Sequence, residues 1–254
     1  MSTYVLIPGA WLGAWAWAEV AETLRESGAE VLPISLPGLG ERESEATAGT
    51  DMETYVNDVI ARVLDADLRD VKLVGHSYGG SVASGVADRI PTRLASVIYV
   101  DSGPLPSGSS YMDFLDSSQQ DFVDELVRDR GEGWLVPMPK WEEFGTGFAA
   151  SLEGLGVAQR RLMREGAAPQ PLKTWTQPVT RGDGAEVRRL PKVLISCSFS
   201  IDQVRELIAA AHPWFAELGE PGWQFFELPT GHWPMFSRPR DLAQLLLEVP
   251  AETG

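Results

Sequence analysis

Residues 75–79 read Gly-His-Ser-Tyr-Gly and satisfy the pattern G-x-S-x-G. A serine hydroxyl is a weak nucleophile at neutral pH. It becomes a useful one when a sharp turn exposes it beside a base and beside N–H groups that can receive developing negative charge. The pattern supplies the turn: glycines flank the serine because Cβ atoms would clash where the chain reverses so tightly. The chemistry is acyl transfer. Ser77 would attack a carbonyl carbon, and the N–H of Tyr78, at a helix N-terminus, would point at the oxyanion. His76 adjoins the serine on the strand side of the turn and reads as packed rather than catalytic.

This meaning holds only where the pattern joins a strand to a helix. Here VKLV (71–74) reads as the strand and 79–90 as the helix. The same alternation runs through the first half of the chain. YVLI (4–7) is an apolar run closed by Pro8-Gly9, and 15–27 carries Trp17, Val20, Ala21 and Leu24 at helical spacing. EVLPISL (30–36) is a second strand, 52–66 a second helix, and SVIYV (96–100) a fourth strand. From about 105 to 188 the rhythm breaks into Pro, Gly, Trp and amphipathic helical stretches without a convincing strand. It resumes with KVLIS (192–196), a helix near 202–211, WQFFEL (223–228) and a last helix near 239–249. Strands without polar alternation, separated by helices, predict an α/β fold with a mostly parallel sheet of about six strands covered on both faces. The expected division is a core of 1–104 and 189–254, with 105–188 inserted as a helical cap after the strand that ends near Asp101.

The totals narrow the function. At 254 residues the chain is long enough for one large core. Its formal net charge of -15 repels phosphate backbones and anionic lipid surfaces, which argues against nucleic-acid and membrane partners. The N-terminal stretch has no basic region, and its apolar run is broken at Pro8-Gly9, so it reads neither as a signal peptide nor as a membrane span. The single cysteine, Cys197, allows no intrachain disulfide and fits a cytoplasmic protein. The three histidines are far apart and no Cys/His cluster has zinc-ligand spacing. No dinucleotide fingerprint is present, and no metal or organic cofactor is expected. The partner expected is a small-molecule substrate; a homodimer is compatible with the sequence but not specified by it.

IPGAWLGAWAW (7–17), SLPGLGE (35–41), VGHSYGG (74–80) and TGHWPMFSRP (230–239) together resemble the α/β-hydrolases. Within them the chain is most similar to the plant-type methylesterase and hydroxynitrile lyase branch and to bacterial esterase-like proteins. The resemblance covers essentially the whole chain, and it implies the α/β-hydrolase fold. It also implies that His232, on the loop after the last strand, is the general base for Ser77, and that Ala10 gives the second oxyanion N–H beside Tyr78. This chain has Pro8-Gly9 where such proteins often have His-Gly, so the hydrogen bonding of that loop must differ. Trp11, on the loop itself, and Trp233, beside the histidine, are expected to face the substrate. Trp15 and Trp17 are expected in the core.

The third group departs from the usual pattern. The resemblance puts an acid on the loop after KVLIS, but there the chain reads SCSFSIDQV, with Ser200 in the expected slot and Asp202 two residues on, where it could equally cap a helix. Some α/β-hydrolases carry the acid instead at the end of the strand that follows the nucleophile helix. Here that strand ends in Asp101, at a carboxyl end where catalytic groups of open α/β sheets gather. Asp101 is favoured, with Asp202 as runner-up; the competing role for Asp101 is to cap the turn DSGP.

The cap is rich in aromatic residues: Tyr111, Phe114, Phe122, Trp134, Trp141, Phe144, Phe148 and Trp175. With no basic cluster near the motifs, a moderately apolar ester, lactone or thioester fits better than a phosphate or carboxylate. The expected function is a cofactor-free serine esterase. A lyase- or cyclase-like enzyme using Ser77 and His232 as a base is the alternative. A ligand receptor is disfavoured by the intact serine, histidine and oxyanion donors.

Overall fold

The computed structural model describes residues 2–145, 147, 150–182 and 184–250. Its centre is a sheet of β1 (Thr3–Ile7), β2 (Glu30–Pro33), β3 (Val71–His76), β4 (Leu94–Val100), β7 (Lys192–Ser196) and β8 (Trp223–Glu227). The order is β2-β1-β3-β4-β7-β8 and every pairing is parallel. Between β4 and β7 in the chain, β5 (Leu135–Val136) and β6 (Gln170–Pro171) form a separate two-stranded antiparallel ladder. Every residue of β1 and β3 is buried. Burial of adjacent side chains along a strand needs cover on both faces, which explains why these segments read as continuous apolar runs.

Helices α1 (Ala18–Glu26), α2 (Met52–Asp65) and α3 (Tyr78–Arg89) follow β1, β2 and β3 in the chain. α2 shows why its ends are legible. Asp51 accepts from the Thr54 N–H, Thr54 Oγ1 reaches back to the Asp51 N–H, and Tyr55, Val56, Val59 and Val63 line the buried face. The first helical turn, 14–17, is a 3-10 turn rather than part of α1, and within it Trp17 is fully buried. β2 stops at Pro33, as an edge strand can.

Between β4 and β7 lie α4 (Tyr111–Phe114), α5 (Ser117–Arg130), β5, α6 (Val157–Gly166), β6, α7 (Lys173–Thr176) and α8 (Ala185–Arg189). The β5–β6 ladder is a correction to an all-helical insertion. Its strands have two residues each, too few for a period-two pattern to show in the sequence. The two stems of this segment are joined to each other: the Gly108 N–H donates to Val179 O at 2.8 Å and the Val179 N–H to Ser109 O at 2.9 Å. Of the aromatic residues expected here, Phe148 lies outside the described residues. The chain continues through α9 (Ile201–Ala209) to β8, then α10 (Pro234–Ser237) and α11 (Pro239–Glu248), which packs on α1. Among the described residues, no helix is long and apolar enough to cross a membrane.

Candidate active site

Ser77 sits between the last residue of β3 and the first of α3, at φ 49 and ψ -124. A non-glycine residue in that region costs on the order of 1–3 kcal/mol and persists only where its surroundings hold it. The glycines do much of the holding. A Cβ on Gly75 would lie 2.5 Å from the Gly79 carbonyl oxygen, and one on Gly79 would lie 2.6 Å from the Pro8 carbonyl oxygen. Both neighbours are backbone and cannot step aside. The turn is further tied by the Ser77 N–H to Val100 O at 3.1 Å and by the Ser102 hydroxyl to Ser77 O at 2.6 Å.

His232 stands on the loop between β8 and α10. Its Nε2 is 2.8 Å from Ser77 Oγ, and its Nδ1 is 2.6 Å from Asp101 Oδ2. The loop is held from two sides. The His232 N–H donates to Ser151 O at 2.9 Å, and His76 Nε2 lies 2.6 Å from the His232 carbonyl oxygen. His76 is fully buried, and burial, followed by the neighbouring His232, pushes its pKa down to about 3. His212 is remote in role: it lies past the end of α9, with Nδ1 accepting from the Trp214 N–H at 3.3 Å.

Asp101 follows β4 directly, with φ 45, and its N–H is bonded to Ile195 O at 2.8 Å. The parallel pairing of β4 with β7 sets it against the loop after β7. That loop holds no carboxylate toward His232. It directs its donors at Asp101 instead: the N–H groups of Cys197 and Ser198 reach Oδ1 at 2.9 and 2.8 Å, and the Ser198 hydroxyl reaches Oδ2 at 2.6 Å. Burial pushes the Asp101 pKa up, but hydrogen bonds from His232 and Ser198 outweigh it and hold the carboxyl below its ordinary value. Asp202 is 85% exposed and pairs with Arg205 at 3.0 Å. It does not cap α9 either. Ser200 does, accepting from the Gln203 N–H at 3.2 Å, which leaves Asp202 in the first helical turn.

Tyr78 is the first residue of α3, so its N–H has no partner inside the helix. Ala10 follows Gly9, whose Cβ position would lie 3.2 Å from Ser77 Cβ; among the described residues no hydrogen-bond acceptor is placed on the Ala10 N–H. The loop carrying Ala10 is clamped one residue on. Trp11, at φ 67, donates its N–H to Gln170 Oε1 at 3.3 Å and accepts the Ala168 N–H at 3.0 Å. Gln170 is fully buried, and its own amide donates to Thr174 Oγ1 at 2.9 Å.

The cavity beside Ser77 measures about 230 Å³. Its walls include His232, Tyr111, Phe114, Trp214, Phe215 and Leu105, with no Lys or Arg among the lining residues. Trp11 and Trp233, expected in this wall, are not in it. Both are 3% exposed and pack against Phe144, with ring centroids at 6.3 and 5.4 Å. The Trp11 indole N–H is committed to Val136 O at 2.9 Å, in the β5–β6 ladder that the sequence does not reveal. Tyr111 takes the position at the serine. Burial pushes its phenol up to about 12, with the Ser77 hydroxyl pulling the other way. Among the described residues, no group of three or more His, Cys, Asp and Glu is placed to hold a metal ion.

Three residues of this site have no reading as site residues in the sequence. Tyr111 is one aromatic among many. Gln170 has no local signature, because its partners are 159 residues away at Trp11 and four away at Thr174. Ser198 has an indirect one: a loop rich in small hydroxyl side chains where an acid would stand.

Comparison with known proteins gives the family. The model of the alpha/beta hydrolase family matches residues 4–245. A carbendazim hydrolyzing esterase of Nocardioides sp. is 30% identical, covering 97% of this chain and 98% of the relative. The putative chloroplastic methylesterase 12 of Arabidopsis thaliana is 24% identical over 97% of this chain and 71% of its own length. Among solved structures, an extracellular alpha/beta-hydrolase from a Paenibacillus species superposes with a TM-score of 0.76 at 22% identity, covering 98% of both chains. A pyrethroid hydrolase from Sphingobium faniae superposes with a TM-score of 0.71 at 21% identity, covering 97% of this chain and 96% of that one. With the family model matching nearly end to end and the Nocardioides relative aligned over almost its whole length, this chain belongs to the alpha/beta hydrolase family.

Proposed function

We propose that this ester hydrolase cleaves a small, uncharged, largely apolar carboxylic ester, lactone or thioester through an acyl-enzyme on Ser77. One observation carries the reading: the relay from Ser77 Oγ to His232 Nε2 at 2.8 Å and from His232 Nδ1 to Asp101 Oδ2 at 2.6 Å, beside an aromatic cavity. Ser77 Oγ attacks the carbonyl carbon while its proton passes to His232. The oxyanion is received by the N–H groups of Ala10 and Tyr78, and Asp101 holds the imidazolium. His232 then gives the proton to the departing alkoxide or thiolate. Water, deprotonated by the same imidazole, releases the acid and restores Ser77.

The substrate class follows from the wall. A cavity of about 230 Å³ lined by Tyr111, Phe114, Trp214 and Phe215, without a cation, would desolvate a carboxylate or phosphate with nothing to offset it. The Nocardioides relative is named a carbendazim hydrolyzing esterase, which supports ester hydrolysis as the reaction. The reading is tested by intact mass after exposure to a fluorophosphonate, alongside turnover of para-nitrophenyl butyrate. A single adduct that disappears in Ser77→Ala, together with lost turnover, is expected. Turnover that survives Ser77→Ala, or an unlabelled wild type, overturns the nucleophile and favours base catalysis without an acyl-enzyme.

A further inference from the structure

Asp101 is supplied from β4, yet most of what holds it comes from the loop after β7. Its side chain is fully buried and receives four hydrogen bonds. Two are backbone N–H groups, from Cys197 and Ser198, both to Oδ1. The other two share Oδ2: His232 Nδ1 at 2.6 Å and the Ser198 hydroxyl at 2.6 Å. The loop is closed on itself by the Ser196 hydroxyl, which donates to Phe199 O, and this bend turns the two N–H groups inward.

Ser198 is the informative member. As a residue it is exposed and it lines the cavity, so its hydroxyl has water within reach. It is turned instead onto the one carboxylate oxygen that meets the histidine. A carboxylate carried on a strand end has rotamer freedom that a single histidine contact does not remove. Two N–H donors on one oxygen and a hydroxyl on the other define the plane of the group as well as its position.

We propose that Ser198 is a positioning residue for the hydrolytic reaction: its hydroxyl fixes the Asp101 carboxylate toward His232. The proposal rests on the reading of Ser77, His232 and Asp101 as the reacting set. Among the described residues, the titratable groups that face Asp101 are His232 from the loop after β8, His76 from β3 and Cys197 from the loop after β7. Burial keeps His76 uncharged and pushes the Cys197 thiol up, so it too is neutral. The charge that changes near Asp101 during turnover is therefore that of His232.

The consequence is specific. With the Ser198 hydroxyl gone, the Asp101 carboxylate can turn away from Nδ1, and the imidazolium formed during attack loses part of its counter-charge. Ser198→Ala should lower kcat/KM for para-nitrophenyl butyrate by about ten- to a hundredfold, the range associated with a hydrogen bond to a charged group. It should also move the acidic limb of the kcat/KM profile to lower pH, because a less well paired imidazole is protonated less readily. Ser198→Thr, which keeps the hydroxyl, should restore both. In an Asp101→Asn background, Ser198→Ala should cost almost nothing more, because its target has already been removed.

The position is exposed, so the melting temperature should stay close to that of the wild type. A uniform loss at every pH, or an equal loss in the Asp101→Asn background, means that Ser198 does not act through Asp101. Wild-type rates and an unmoved pH profile in Ser198→Ala overturn the proposal outright. If Ser77→Ala is inert and the fluorophosphonate labels the wild type while Ser198→Ala is normal, only the Ser198 proposal fails. If Ser77→Ala remains active, the reading of the site fails first.

Discussion

His76 Nε2 lies 2.6 Å from the backbone carbonyl oxygen of His232. A carbonyl only accepts, so the His76 proton is on Nε2 and Nδ1 is bare. That bare nitrogen is buried, with no hydrogen-bond partner among the described residues, against Gly9, whose Cβ position would lie 2.7 Å from it. His76, the neighbour of Ser77, therefore braces the backbone of His232. The two imidazole rings are 5.0 Å apart between centroids, so a proton on His76 would put a cation directly beside the His232 ring.

This arrangement makes stability depend on pH. Burial, then His232, lowers the His76 pKa from 6.5 to about 3. Above the unfolded value neither state binds the proton. Between 6.5 and about 3 the unfolded chain takes it up and the folded chain does not, so stability falls as the pH falls through that window. Over the full window the loss is up to about 5 kcal/mol. Urea midpoints from about pH 7 to about pH 4.5 should drop less steeply in His76→Gln than in the wild type, by about 3 kcal/mol. Parallel curves would show that His76 is protonated in the folded protein.

The two candidate acids should behave oppositely. Asp101→Asn replaces an acceptor of four hydrogen bonds with a group that must donate from one side, toward other donors. It also leaves the imidazolium without its counter-charge. Changing the acid of a serine-protease triad to its amide costs about ten-thousand-fold in rate; a fall in kcat of at least about a hundredfold is expected here. Asp202→Asn removes only an exposed pair with Arg205. Its kcat should be unchanged and its stability within about 0.5 kcal/mol of the wild type. Reversal of the two results in steady-state assays would move the acid to Asp202.

Arg181 joins the end of the inserted segment to its beginning and to the core. Its guanidinium meets Glu217 at 2.6 Å, Leu105 O at 3.0 Å and Asp88 at 3.4 Å, where the Asp88 side chain is 2% exposed. Lys192 also reaches Glu217, at 3.0 Å. Burial raises the Asp88 pKa, and Arg181 works against that rise. Arg181→Ala would leave Asp88 buried without its cation and should cost about 3–5 kcal/mol near neutral pH. The sign with pH is distinctive. A carboxyl whose folded pKa is raised loses stability as the pH rises, so the gap between variant and wild type should widen from acid to neutral pH. Adding Asp88→Asn should close most of it. Thermal melts at several pH values decide the matter; a gap that is constant with pH would leave Asp88 out of the account.

The elements that carry Ser77 are written locally. Gly75 is required by backbone contacts with Gly79 and Gly80 within the same turn, and the helical period of 52–65 and its Asp51–Thr54 cap lie within one stretch of chain. Such signals survive in a sequence because the interacting residues are close along it. The choice between Asp101 and Asp202 can be argued from register but not decided, since Asp101 meets His232 across 131 residues and only the β4–β7 pairing brings its cradle into place. The Trp11 orientation escapes the sequence for the same reason. A positive φ at that residue and partners at Val136, Ala168 and Gln170, all in the inserted segment, turn its indole away from the cavity and into the packing around Phe144. Chemistry that depends on neighbours in the chain is legible by itself; which carboxylate, which hydroxyl and which aromatic face the serine is decided by long-range packing, because those contacts have no local pattern to leave.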